Sequence, residues 1–312
     1  MLSGSPIGGP QGPDNRGGHV LVAGDFEAVF LPAEGMLGAS LRHRGVEFLR
    51  RIDDIDTAAA SGATIGIPLL HPWANRLATS HFCAAGRTVD IDLGSPLLHR
   101  DENGLLIHGV PWSRLAWTVT EATQNRLAAR LGWTDERLLA VFPFEHDVAL
   151  TATLNPDGLV LETTLTAHAA GAVPVSFGFH PYFGLPGLPR PQWRLELPAM
   201  QRLTLDKYGI PTGQAEPFDG FDSELGELQF DDGFALPHEQ ASFSLAGAGC
   251  HICVDLLAGY RYAQIFAPRD KAYAALEPMT APTNALTSGH GLPLVPPGGA
   301  FRAAFRIRIE TE

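Results

Sequence analysis

Cysteine is scarce in this chain of 312 residues, which carries only Cys83, Cys250 and Cys253. So few, so unevenly spaced, exclude a disulfide framework. None is needed, because a chain of this size buries roughly three quarters of its unfolded surface. Cys250-His-Ile-Cys253 has CxxC spacing. It lies in an alternating, strand-like segment without a second cysteine pair, which argues against zinc or redox use. A reducing, cytoplasmic setting is the expectation. Basic charge is also short: 22 Lys and Arg against 34 Asp and Glu leave a net charge of −12. A nucleic-acid partner is excluded on that ground, since phosphates demand a basic surface. Long apolar runs are missing as well. None approaches the ~20 residues of a membrane helix, so no membrane partner is expected. Residues 1–18 are rich in glycine and proline and have no apolar core. They read as a disordered tail and not as a signal peptide. Finally, no window of about fifteen residues keeps an uninterrupted helical stripe.

What remains is a succession of short strands. At the C-terminus Phe305, Ile307 and Ile309 alternate with Arg306, Arg308 and Glu310, the period of a half-buried strand. Similar runs cover Leu139–Leu154, Leu159–Ala167, Val173–Phe179, Ala241–Leu245, Ile252–Leu256 and Tyr262–Ala267. Asn155-Pro-Asp-Gly158 is a hairpin-type break between two of them. Strands without intervening helices predict an all-β fold, a large antiparallel β-sandwich. All-β domains run to roughly 200–250 residues as one unit, and nothing mid-chain reads as a linker. Residues 19–312 are therefore expected to form a single domain.

Four stretches carry residues suited to chemistry. In Gly178-Phe-His-Pro-Tyr-Phe-Gly-Leu-Pro186, His180 ends a predicted strand, fixed by Pro181 and followed by two aromatic rings. In Gly66-Ile-Pro-Leu-Leu-His-Pro-Trp-Ala-Asn-Arg-Leu77, two prolines and a tryptophan stiffen an irregular segment around Asn75 and Arg76. The guanidinium is a planar fork of donors suited to vicinal hydroxyls or carboxylates. His108, in Asn103–Trp112, sits at an apolar strand end before Gly109, a residue that permits close approach of backbone or ligand. Glu277 ends the short apolar run that starts at Tyr273, with Pro278 after it. A carboxylate there needs a partner or serves as a poised base. Each of these taken singly has a plain structural explanation, such as a packed histidine or a surface ion pair.

Taken in order, the chain resembles the aldose 1-epimerases, the galactose mutarotase family. The resemblance rests on Asn75-Arg76, Ile107-His-Gly, His180-Pro-Tyr-Phe, Ile210-Pro-Thr-Gly213, Phe230-Asp-Asp-Gly-Phe234 and Glu277-Pro-Met-Thr, and it spans residues 19–312. It implies a galactose mutarotase-like supersandwich. It also implies that His180 is the general acid and Glu277 the general base. Asn75, Arg76, His108 and Tyr182 would bind substrate, as would Asp231, although the adjoining Asp232 leaves that register open. Where the family often carries Asn after the Phe, this chain has Gly184.

Anomer interconversion requires one group to take the proton of the anomeric hydroxyl while another protonates the ring oxygen. A carboxylate and an imidazole on opposite sides of the ring suffice, each contributing ~10²–10⁴-fold. Ionised Glu277 would be favoured by Arg76 or nearby histidines. Tyr182, Phe183 and Trp73 are candidates to stack on the sugar. The expected partner is a free aldose, with no cofactor or metal, in a monomer or homodimer. Other readings compete. A hexose-6-phosphate mutarotase would need cations near the site, and Arg42, Arg44, Arg50 and Arg51 cluster in sequence. A sugar-binding protein could use the same sandwich without turnover. His71, His108 and His180 could ligate a metal, although they lack short-range ligand spacing.

Overall fold

The structure, a computed structural model, describes residues 17–50 and 54–311. The tail expected over residues 1–18 therefore lies, apart from Gly17 and Gly18, outside the described residues, as does Arg51.

The alternating C-terminal segment forms the strand Ala300–Thr311, and it organises the larger of two main sheets. It pairs antiparallel with Gly158–Ala167 on one side and Cys250–Ala258 on the other. Phe305, Ile307 and Ile309 are buried, while Arg306 and Arg308 bind Asp255 on the wet face. This sheet has nine strands. Asn155 and Gly158 close the hairpin between His146–Asn155 and Gly158–Ala167, at the predicted turn. The second sheet has eight strands and runs from Pro211–Phe218 through Met200–Leu205, Phe230–Ala235, Tyr262–Ala267, Ala274–Met279 and Gly178–Phe179 to Leu69–Leu70. Tyr182–Phe183 also pairs with Ala274–Met279.

The two sheets face each other across one core, as the sequence predicts for an all-β sandwich. Phe179 of the eight-stranded sheet meets Phe305 of the nine-stranded sheet with ring centroids 5.1 Å apart. Nearby, Phe177 meets Phe301 at 6.1 Å. Burial of such rings is the main favourable term holding the layers together. A four-stranded sheet, His19–Ala23 to Val46–Glu47, and three two-stranded sheets account for the other strands among the described residues.

Two expected strands differ. The run expected over Leu139–Leu154 begins as a helix, Glu136–Val141, because the Asp135 side chain accepts from the Arg137 amide and caps it. Only after Pro143 does the strand His146–Asn155 begin. The run expected over Val173–Phe179 is split. Val173–Pro174 pairs with Leu294–Val295, and the chain then joins the eight-stranded sheet at Gly178–Phe179. Pro174 offers no amide to extend the first pairing. The CxxC segment lies wholly within the strand Cys250–Ala258. Residues three apart on a strand point to opposite faces, and burial pushes the Cys253 thiol up to about 11, leaving it unreactive.

Candidate active site

Ala274–Met279 is buried at all six positions, yet it contains a carboxylate. Strand alternation explains the arrangement. Leu276 points into the core between the sheets, so Glu277 points out of the opposite face. There a cavity of about 250 Å³ is lined by Thr64, Asn75, Arg76, Glu102, Ile107, His108, His180, Tyr182, Asp231, Phe266, Tyr273 and Glu277. All seven residues singled out as catalytic or substrate-binding thus meet in one cleft. The expectation that the strand ends at Glu277 is corrected: it continues through Pro278, which pairs with Ala263, to Met279.

His180 stands between two short strands that both pair with Ala274–Met279, and its amide donates to the Pro68 carbonyl. Its backbone must run close to the neighbouring strand. A Cβ at Gly178 would come within 2.8 Å of the Pro278 carbonyl oxygen, so only glycine fits. The result places His180 Nε2 at 3.2 Å from Glu277 Oε1, with both side chains almost wholly buried. Glu277 Oε2 has no hydrogen-bond partner among the described residues. Burial pushes the Glu277 carboxyl well above its usual range; Asp231 pushes the same way, and Arg76 opposes without prevailing. Arg76 thus favours the ionised form, as expected, while burial acts more strongly in the other direction. Imidazole and carboxylate, expected on opposite sides of a bound ring, lie within hydrogen-bond distance of each other.

Arg76 and His108 are set by backbone that sequence reasoning reads only as irregular. Asn75 and His108 adopt φ of 54° and 60°, a region that non-glycine residues rarely occupy. The Asn75 amide donates to His108 Nδ1, which leaves the His108 proton on Nε2, and burial holds this imidazole well below its usual pKa. His108 is therefore a neutral hydrogen-bond donor. Gly109 serves the backbone: a Cβ there would strike the His71 carbonyl. Arg76 Nε donates to Asp101 Oδ2 at 2.7 Å, which fixes the fork at its stem. Asp101 was missed in sequence, as no local pattern links positions 76 and 101.

Asp231 lies at the cleft, accepting a 2.7 Å hydrogen bond from Gln264, whereas Asp232 turns to the other face toward Arg202. Asn75 is buried, and its amide nitrogen reaches Met279 Sδ at 3.1 Å. Tyr182, expected as a platform for the sugar, lines the cleft beside His180. Its ring stacks on His180 at 4.3 Å, and its hydroxyl lies 2.6 Å from Thr64 Oγ1 and 3.3 Å from His180 Nε2. Trp73 and Phe183 belong to the core and do not line the cleft. Its remaining aromatic walls are Phe266 and Tyr273, neither of which sequence reading singled out. Among the proposed metal ligands, His71 lies apart, bonded to His146 at 2.9 Å in the interior. Beyond Tyr273 a second cavity of about 570 Å³ opens, and among the described residues Arg50 is the charged group on its wall. The Arg50 stem fills the space over Gly184, so this departure from the family pattern is matched by a side chain from elsewhere.

A sequence profile of the family described as Aldose 1-epimerase matches residues 38–308. The uncharacterized protein YihR of Escherichia coli (strain K12) is 23% identical over 299 residues, covering 92% of this chain and 91% of that protein. Among solved structures, a galactose mutarotase-like protein from Clostridium acetobutylicum superposes with a TM-score of 0.79 at 20% identity, covering 94% of this chain and 95% of that one. The Slr1438 protein of Synechocystis sp. PCC 6803 gives 0.76 at 24% identity, covering 98% and 100%. At these identities the two structures establish a shared fold. No helix among the described residues is long and apolar enough to cross a membrane.

Proposed function

The chain belongs to the aldose 1-epimerase family, and from that premise we propose that it interconverts the α and β anomers of a free aldohexose by acid–base opening and closing of the ring. The observation that carries this reading is the contact between His180 Nε2 and Glu277 Oε1 in a buried cleft of sugar size. The anomeric hydroxyl and the ring oxygen are both bonded to C1. An acid and a base that lie side by side therefore suit them better than groups on opposite faces. Glu277 takes the proton of the anomeric hydroxyl as His180 gives one to the ring oxygen, and the C1–O5 bond breaks. The open aldehyde turns about C1–C2, and the transfers run in reverse to close the other face. Burial raises the basicity of Glu277, and Arg76 favours its ionised form. Arg76 and neutral His108 supply donors to sugar hydroxyls, and Asp231 supplies an acceptor at the mouth.

Polarimetry on freshly dissolved α-glucose and α-galactose tests the proposal. The protein should accelerate mutarotation, and tight sugar binding in calorimetry without any acceleration would replace the enzyme with a binding protein. One observation favours a second reading, a phosphorylated sugar. Arg42 and Arg44 are engaged by Glu27, Glu47 and Asp25. Arg50, however, borders a cavity that shares Tyr273 with the cleft. A faster rate on glucose 6-phosphate than on glucose would select it.

A further inference from the structure

Arg76 belongs to a strand of only two residues, Arg76–Leu77, paired on one edge with Leu106–Ile107. So short a strand has little intrinsic order, and on its other edge one distant residue makes two hydrogen bonds to it. The Asn284 amide donates to the Arg76 carbonyl at 3.0 Å, and Asn284 Oδ1 accepts from the Ala78 amide at 2.9 Å. One residue thus supplies the donor and the acceptor that a neighbouring strand would supply on either side of Leu77. A normal strand residue would use its own carbonyl as the acceptor. Asn284 has a φ of 68°, and its carbonyl instead accepts from the Ser288 amide at the start of a short helix. The side-chain oxygen takes over the vacated role. Asparagine combines tolerance of positive φ with a short amide acceptor. At 8% exposure the arrangement is largely shielded from water.

We propose that Asn284 is a positioning residue for Arg76: it fixes the backbone that aims the guanidinium into the cleft, while Asp101 fixes the stem. The proposal rests on the reading above in which Arg76 holds sugar hydroxyls and transfers no proton. Loss of the Asn284 bonds should weaken sugar binding and leave the chemical step nearly untouched.

Three variants separate this role from a merely structural one. N284G keeps the backbone conformation and removes Oδ1. It should raise KM about three- to tenfold, with kcat within about twofold of the parent. N284D retains an acceptor oxygen and should stay close to the parent in both constants. In an R76Q background, N284G should add no further rise in KM. Amide hydrogen exchange at Ala78 should quicken in N284G and not in N284D, and this readout is independent of turnover. A fall in kcat at unchanged KM, or a KM effect that persists in R76Q, overturns the proposal. If the parent protein fails to mutarotate any aldose, the functional reading falls. The role of Asn284 is then judged by sugar affinity in calorimetry, where equal affinity of N284G and parent refutes it.

Discussion

His180 Nε2 and Glu277 Oε1 lie 3.2 Å apart, although 97 positions separate the two residues in the chain. The eight-stranded sheet brings them together, because Gly178–Phe179 and Tyr182–Phe183 both lie against Ala274–Met279. Groups in such contact act as a unit, and removing either should abolish the proton exchange of both. Glu277→Gln and His180→Asn should each lower mutarotation turnover at least ~100-fold with unchanged circular dichroism. The double variant should be little worse than either single one. A single variant that turns over at the parental rate removes its residue from the mechanism.

The same burial has a cost in stability. The Glu277 pKa in the folded chain is raised well above its ordinary value, chiefly by desolvation. A group raised on folding contributes stability below its unfolded pKa, and that contribution is lost as pH climbs through the folded value. Glutamine is an uncharged near-isostere with no such loss. Thermal denaturation should show E277Q melting above the parent at about pH 8, with the gap closing near pH 4. Each kcal/mol of difference corresponds to about 2–4 °C for a chain of this size. A gap that widens toward acid would contradict the desolvation account.

A second buried pair gives the opposite slope. His71 Nε2 and His146 Nε2 lie 2.9 Å apart, while His146 Nδ1 meets the Phe144 carbonyl at 2.6 Å. With His146 donating to that carbonyl, its Nε2 must accept from His71, so both rings are neutral. Burial lowers the His146 pKa from 6.5 to about 4. A histidine lowered on folding contributes stability that is complete above the unfolded pKa and disappears as pH falls through the folded one. The parent should therefore lose stability between about pH 6.5 and 4. His146→Phe, less stable at neutral pH, should lose less over that window. Denaturant titrations at several pH values check this, and parallel slopes for the two proteins would refute it.

The sandwich was legible in sequence because strand alternation is local and one face of each sheet is apolar. The strand Tyr262–Ala267 falls where its pattern predicts. The helix Glu136–Val141 was hidden, since six residues are too few to display a helical stripe, and its cap at Asp135 is the sole local signal. The site residues could be named from ordered motifs, but their neighbours could not. Asp101, Thr64 and Phe266 reach the cleft or the Arg76 side chain through pairings that no sequence window contains. Trp73 illustrates the reverse failure. A ring beside Asn75-Arg76 is adjacent along the chain, yet it packs into the core as the backbone turns. Asp231 and Asp232 were indistinguishable as letters; strand alternation sends them to opposite faces.

The placement of Tyr182 divides the aromatic residues into two functional groups. Its ring lies against the imidazole of His180 in the cleft wall, and its hydroxyl connects Thr64 to His180 Nε2. Tyr182→Phe preserves the stacked ring and removes one hydrogen bond to the proposed acid. It should lower kcat about three- to tenfold, leave KM nearly unchanged and shift the acid limb of the pH–rate profile. Phe266 and Tyr273 line the same cleft, the Phe266 ring 6.0 Å from His180 and the Tyr273 ring 5.2 Å from Tyr182, both edge to face. Truncating either to alanine should raise KM with a smaller effect on kcat, as expected for a surface that meets the sugar's C–H face. Steady-state polarimetry on the three variants measures both constants. A KM effect in Tyr182→Phe that matches those of the alanine variants would return Tyr182 to the role of a sugar platform.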